Sequence, residues 1–254
     1  MPTPPVYVIN LDGSADRLAS ASAQLHAAGL TFERVPAFDG RGLTVAEFPD
    51  YDAARARAYM GRPLRGGEIG CYLSHLRAAR RVAESGALVG IVLEDDVQLS
   101  PDFASVFPQL LDWLAAQPRD WDLINLGANK HRIYTVLDQI TGRDGSYQIT
   151  RAHYFPMMAS ALLWSREGAQ AFVDGHDQIF APVDNYFRHW LTRSDRGLAV
   201  WPPLTATTGV VSDIMPNAKR SAEDRHTFYG LIKQRRLLVN KLLALRHKRA
   251  LARR

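Results

Sequence analysis

The chain has 254 residues, 46% hydrophobic and 22% charged, which suits one large globular domain or a domain with an appendage. A single cysteine, Cys71, excludes an internal disulfide, and no apolar run reaches the ~20 residues that span a bilayer. The net charge of +5 is unevenly placed: residues 1–218 carry 19 basic and 24 acidic side chains, whereas residues 219–254 carry 12 basic and 2 acidic ones.

The acidic body weakens a nucleic-acid reading of the high pI, and no nucleic-acid partner is expected. The start of the chain lacks the basic region and long apolar stretch of a secretory signal, so a cytoplasmic location is expected. Residues 6–11 predict a first strand. A helix follows from Ser14 or Asp16, with Leu18, Ala21, Leu25 and Ala28 at helical spacing and Gly29 as its stop. Residues 31–35 predict a second strand, giving a β-α-β opening of doubly wound type without a G-x-G-x-x-G fingerprint. Asn10, Asp12 and Arg17 are the polar groups at the end of the first strand, and Arg17 can meet a phosphate or stay an exposed helix arginine.

Residues 41–66 predict a loop with a short helix near 51–59. A longer helix then runs to about Ser85, with Leu73, Leu76, Ala79 and Val82 as its buried stripe and Ser74 and His75 beside it. Residues 88–93 predict a buried, parallel strand covered on both faces, which runs into Glu94-Asp95-Asp96. Open α/β sheets place their ligand crevice at such carboxyl ends. Three adjacent carboxylates repel one another, and a hard divalent cation cancels that repulsion while bridging to substrate phosphates. The plain alternative is an acidic turn in which Asp96 caps a helix beginning near Pro101.

A helix over 103–116 and a strand over 121–127 follow. The polar, turn-rich stretch 128–151 predicts a mobile loop or small hairpin over the site. Residues 157–164 read as sheet, and Ser165 caps the next helix. A helix opening at Pro182 places Asp184 in its first turn, as a cap or as a base held at a cleft. A strand over 198–201 ends in prolines, and Asp213 is an isolated acid beyond it.

Four ordered blocks resemble glycosyltransferase family 25, the lipopolysaccharide and lipooligosaccharide sugar transferases that include the collagen galactosyltransferase domains. They are Val8-Ile9-Asn10-Leu11-Asp12 with Asp16-Arg17 and Phe38-Asp39-Gly40, then Gly67-Glu68-Ile69-Gly70-Cys71-Tyr72-Leu73-Ser74-His75, then Leu93-Glu94-Asp95-Asp96-Val97, and lastly Pro182-Val183-Asp184 with Ser212-Asp213. The resemblance implies an α/β, GT-A-like fold: a Rossmann-like nucleotide half, a mostly parallel mixed sheet and an acceptor half. It also implies an inverting transfer of galactose or a related hexose from a UDP-sugar with Mn²⁺ or Mg²⁺. On that reading Asp96 is the metal ligand and Asp213 completes the metal shell. Asn10, Asp12, Arg17, Asp39, His75, Glu94 and Asp95 bind the donor, and Asp184 is the base that takes the acceptor hydroxyl's proton. The segment Ala159-Ser160-Ala161-Leu162-Leu163-Trp164 departs from the family pattern, which bears on sugar specificity. The competing readings are a metal-dependent nucleotide-sugar hydrolase and a non-catalytic membrane-docking protein.

Residues 219–254 are expected to form a tail separate from a domain over 1–218. Leu231, Ile232, Leu238, Val239, Leu242 and Leu245 recur at helical spacing, with Lys233, Arg236, Lys241 and Lys248 on the other side. Such a basic amphipathic helix is expected to lie on the anionic inner face of the cell membrane, where a glycan or lipooligosaccharide acceptor would be met. The alternative is that its leucines pack on the body or on a second subunit.

Overall fold

A computed structural model describes residues 3–44, 47–118, 120–209 and 225–253. The opening is β1 (Val6–Asn10), α1 (Ala15–Ala27) and β2 (Glu33–Pro36), with Gly29 at φ 73° turning the chain out of the helix. Next come α2 (Ala53–Met60), α3 (Gly66–Glu84), β3 (Val89–Glu94), β4 (Val97–Leu99) and α4 (Phe103–Ala116). The second half holds β5 (Leu123–Asn125), β6 (Thr135–Thr141), β7 (Ser146–Arg151), β8 (Ala161–Ser165), α5 (Arg166–Asp174), α6 (Val183–Ser194), β9 (Gly197–Trp201) and β10 (Thr205–Thr207). After the last strand stands α7 (Tyr229–Leu251).

Eight strands form one sheet in the order β2-β1-β3-β8-β5-β9-β7-β6, and β10 pairs with β4 in a small second sheet. β1 runs parallel to both β2 and β3, and β5 runs parallel to β9; β8 and β7 are the two strands that run against the rest. This is the α/β architecture the resemblance implies: a Rossmann-like parallel half joined to a mixed half, with the acid turn at the end of β3.

Alternation along each strand divides the core into two layers. Val89, Ile91 and Leu93 face α1 and α4 with Val6, Val8, Leu25, Val106 and Leu110. Val92, Tyr7 and Ile9 face the other layer, where α3, α5 and α6 contribute Tyr72, Ala79, Phe172 and Phe187. Glu94 has the same parity as Val92, so the first acid of the triplet leaves the sheet on the α3 side. At Gly90 a Cβ would come within 2.8 Å of Val82, which is how closely α3 lies on β3.

Two expectations change. The hairpin β6–β7 stands at the far edge of the sheet, its strands four and five places from β3, so it does not cover the acid turn. Its Tyr147, Ile149 and Ile140 are buried against α4, which anchors it there. Asp96 caps no helix, because β4 intervenes and Asp102 occupies the residue before α4.

The face assignment of α7 changes as well. Ile232 and Arg236 turn toward the body together with Tyr229, Asn240 and Ala244, because α7 packs on α2 and α6. Arg236 donates to the Tyr59 carbonyl at 3.0 Å, and its guanidinium lies over the Tyr59 ring. Phe228, Leu231, Leu238, Val239, Leu242 and Leu245 remain exposed, interleaved with exposed Arg235, Arg246 and Arg249. The expected boundary at 218 lies outside the described residues. Among those residues no helix is long and apolar enough to cross a membrane.

Candidate active site

The acid turn is built from its scaffold outward. Asn10, buried at the end of β1, donates to the Asp95 carboxylate at 2.7 Å and to the Ser14 carbonyl at 3.0 Å, while its own carbonyl oxygen accepts from Arg34. Arg17, projecting from the first turns of α1, forms an ion pair with Asp95 and stands 3.9 Å from Asp96. Asp95 is therefore held by two groups and fixes the turn. Asp96 is different: its Oδ1 is buried with no hydrogen-bond partner, and burial together with the Glu94 charge pushes its carboxyl up to about 6. A buried carboxylate oxygen without a partner, beside two further carboxylates, fits a cation in oxygen coordination.

Glu94 faces α3, as its parity requires. Its Oε1 lies 3.0 Å from His75 Nε2 and 3.9 Å from Cys71 Sγ, two residues one helical turn apart. Cys71, His75 and Glu94 bring one ligand atom each within 4.8 Å of one another, so this trio is also able to hold a metal. Burial, with the Glu94 and Asp184 charges behind it, drives the Cys71 thiol well up, which keeps it protonated.

The loop after β2 closes the near wall. Gly40 and Gly66 cross so tightly that a Cβ on either would lie about 2 Å from the other's carbonyl oxygen, and Gly70 meets Phe38 in the same way. Ser74 locks the crossing: its hydroxyl accepts from the Phe38 amide at 2.8 Å and donates to the Gly70 carbonyl at 2.7 Å. These contacts explain why two sequence blocks thirty residues apart meet at one place. Hydrogen bonds from Arg41 bring Asp39 down to about 2, so Asp39 is ionised at the rim.

The result is a cavity lined by Arg17, Asp39, His75, Glu94, Asp95 and Asp96. Asn10 lies behind it as a strut. Asp12 is not brought in, since its exposed side chain pairs with Arg34. Asp213 lies outside the described residues.

A second cavity of about 430 Å³ adjoins the first, and Glu94 and Cys71 line both. Asp184 stands in it at the first turn of α6, where its Oδ1 accepts from the Asn185 amide at 2.6 Å. Burial raises the Asp184 carboxyl above its ordinary range, opposed by the Asn185 hydrogen bonds. Glu68 and Arg62 form a bidentate pair at 2.6 and 2.7 Å beside it. Tyr229 and Arg236 of α7 complete the wall. Sequence reasoning did not place Cys71, Glu68, Tyr229 or Arg236 here. Cys71 alone carried a local signal, standing four residues before His75 and so on the same helix face.

The family model for glycosyltransferase family 25 (LPS biosynthesis protein) matches residues 3–187. Among similar proteins, procollagen galactosyltransferase 1-B of Xenopus laevis is 28% identical over 82% of this chain and 36% of its own length. A glycosyltransferase 25 family member of Aedes aegypti is 33% identical over 84% of this chain and 38% of its own. A probable inactive glycosyltransferase 25 family member 3 of Bos taurus is 34% identical over 82% and 37%. The chain thus spans little more than a third of the length of these relatives. A solved glycosyltransferase involved in glycosylation of the major capsid of PBCV-1 superposes with a TM-score of 0.46 at 7% identity, covering 83% of this chain and 95% of that one.

Proposed function

The chain belongs to glycosyltransferase family 25, and from that premise we infer that it is a metal-dependent, inverting glycosyltransferase that moves a hexose, galactose by preference, from a UDP-sugar to a glycan acceptor. The observation that carries the reading is the pair of adjoining cavities: the acid turn opens into one, Asp184 into the other, and Glu94 and Cys71 are common to both walls. A donor in the first would present its anomeric carbon to an acceptor in the second.

Asp96 would hold the Mn²⁺ or Mg²⁺, with Glu94 within reach, and the cation when bound would neutralise charge building on the departing diphosphate. Arg17 and Asp95 keep the acid turn in place, and Asp39 and His75 border the sugar-nucleotide. As the bond between the sugar and the β-phosphate breaks, its electron pair leaves with UDP. The acceptor hydroxyl attacks from the opposite face, and its proton passes to a carboxylate oxygen of Asp184. A raised carboxyl pKa suits a group that must take a proton in the transition state. The family description and the galactosyltransferase relatives support galactose and a surface-polysaccharide acceptor.

The exposed leucines and arginines of α7 support docking on the anionic inner face of the cell membrane. The reading is tested by UDP release from UDP-galactose with Mn²⁺, Mg²⁺ or chelator, and by flotation with phosphatidylglycerol vesicles. Metal-dependent turnover that favours UDP-galactose over UDP-glucose is expected, with salt-sensitive flotation. No turnover of any UDP-sugar, with no metal-dependent UDP binding, overturns the transferase; no flotation at low salt overturns the docking.

A further inference from the structure

A third cavity, of about 220 Å³, is walled by α6 and α7, and α7 also walls the Asp184 cavity. Its lining includes Lys130, Arg132, Tyr154, Arg188, Leu237 and Lys241. Four cations converge there and, among the described residues, no carboxylate lines it. Like charges so gathered are costly unless an anion completes them.

Arg188 gives the cavity a fixed floor. Its Nε donates to the Phe155 carbonyl at 2.7 Å, and its guanidinium lies 4.4 Å over the Tyr154 ring. Neither of these partners is anionic; its Nη1 has the Tyr154 hydroxyl at 3.4 Å, and the charge that reaches it from outside the cavity is that of Asp184 on α6. Lys130 and Arg132 come from the exposed loop after β5, and Lys241, half-buried, from α7, so cations from two other segments face one anchored arginine. Planar and point donors in that mixture recognise phosphate oxygens.

The placement links this cavity to the reaction. Arg188 follows Asp184 by four residues on α6, about one turn or ~6 Å along the axis. Arg236 lines the Asp184 cavity while Leu237 and Lys241 line this one, so both open along the same stretch of α7. Leu238 and Leu242, exposed beside Lys241, continue the surface outward.

We propose that this cationic cavity holds a phosphate or diphosphate group of the acceptor, one helical turn from Asp184, while the acceptor's sugar hydroxyl lies in the adjoining cavity. The proposal rests on the transferase reading above and deepens it by naming the acceptor's chemical class. It needs no covalent step.

The experiment is calorimetric titration of the full chain with inorganic pyrophosphate in the absence of divalent cations. It compares wild type, K130Q/R132Q/K241Q and the charge-matched remote variant R57Q/R80Q/R166Q. Loss of charge-assisted contacts should weaken pyrophosphate by ~10-fold or more in the cavity variant and by less than ~2-fold in the remote one. Undiminished binding by the cavity variant, or equal loss in the remote variant, overturns the proposal. Displacement of pyrophosphate by phosphatidylglycerol vesicles places the phosphate on a lipid; binding without displacement places it on a soluble phosphoglycan, and either supports the cavity. UDP release from UDP-galactose is read in parallel. Absence of turnover in wild type sinks the transferase and the word acceptor with it, whereas normal turnover with undiminished pyrophosphate binding by the cavity variant sinks the cavity alone.

Discussion

Replacing Asp184 by asparagine separates the proposed base role from stability, because the two effects should have opposite signs. The side chain keeps its size, and an amide oxygen still accepts from the Asn185 amide, the 2.6 Å contact that holds the group at the head of α6. What disappears is the ability to take a proton. General-base assistance is worth ~10²–10⁴-fold, or ~2.7–5.4 kcal/mol of barrier, and transfer should fall by that factor while donor affinity stays level. Stability should move the other way. Burial raises the Asp184 carboxyl above its unfolded value of ~3.9, so the folded state binds the proton more tightly than the unfolded one. The stability this group permits is therefore greatest below ~pH 3.9 and declines as pH rises through the folded pKa. The uncharged variant lacks that decline, so its melting temperature should overtake wild type increasingly between pH 4 and pH 7. Transfer and UDP affinity by calorimetry are read at pH 7, with thermal melts across the range. Transfer within ~10-fold of wild type, or a variant that melts progressively lower than wild type as pH rises, refutes the reasoning.

Asp96→Asn should abolish most Mn²⁺-dependent UDP binding with little change in urea midpoint, since its Oδ1 has no protein partner to lose; calorimetry with and without Mn²⁺ checks this. Asp95→Ala should instead cost ~3 kcal/mol in urea unfolding, because it removes the ion pair with Arg17 and the hydrogen bond from Asn10. Gly70→Ala places a Cβ 2.5 Å from the Phe38 carbonyl oxygen and should cost ~2 kcal/mol or more while loosening the donor cavity, read as a lower melting temperature and weaker UDP binding. Burial holds His131 and His189 at about 4. Stability present above ~pH 6.5 should thus be lost as pH falls toward 4, by ~2 kcal/mol together after allowance for partial exposure, visible in urea midpoints at pH 7 and pH 5.

The acid turn was readable from sequence because each cause is local: an apolar run with alternating parity, then three carboxylates where the strand ends. On local grounds His75 was readable only as a residue beside a helical stripe, and its donor role came from the resemblance alone. Its closeness to Glu94 depends on α3 lying against β3 at Gly90, a packing distance no spacing rule supplies. The tail shows the limit more sharply. Helical periodicity separates apolar from basic residues, but it does not say which face the body will take, and here Arg236 turns inward to a carbonyl 177 residues away in sequence. The α7 wall of the Asp184 cavity was not readable for the same reason, since Tyr229 and Arg236 close it from the opposite end of the chain.

Because Cys71 is the sole cysteine and sits in the partition between two chambers, the protein carries its own occupancy gauge. A protonated thiol alkylates slowly, so labelling would be gradual enough to follow by intact mass. A nucleotide arriving from one side and a glycan from the other would each shield the same sulfur. The order in which they do so would report which substrate enters first, without a mutation or a dye being introduced.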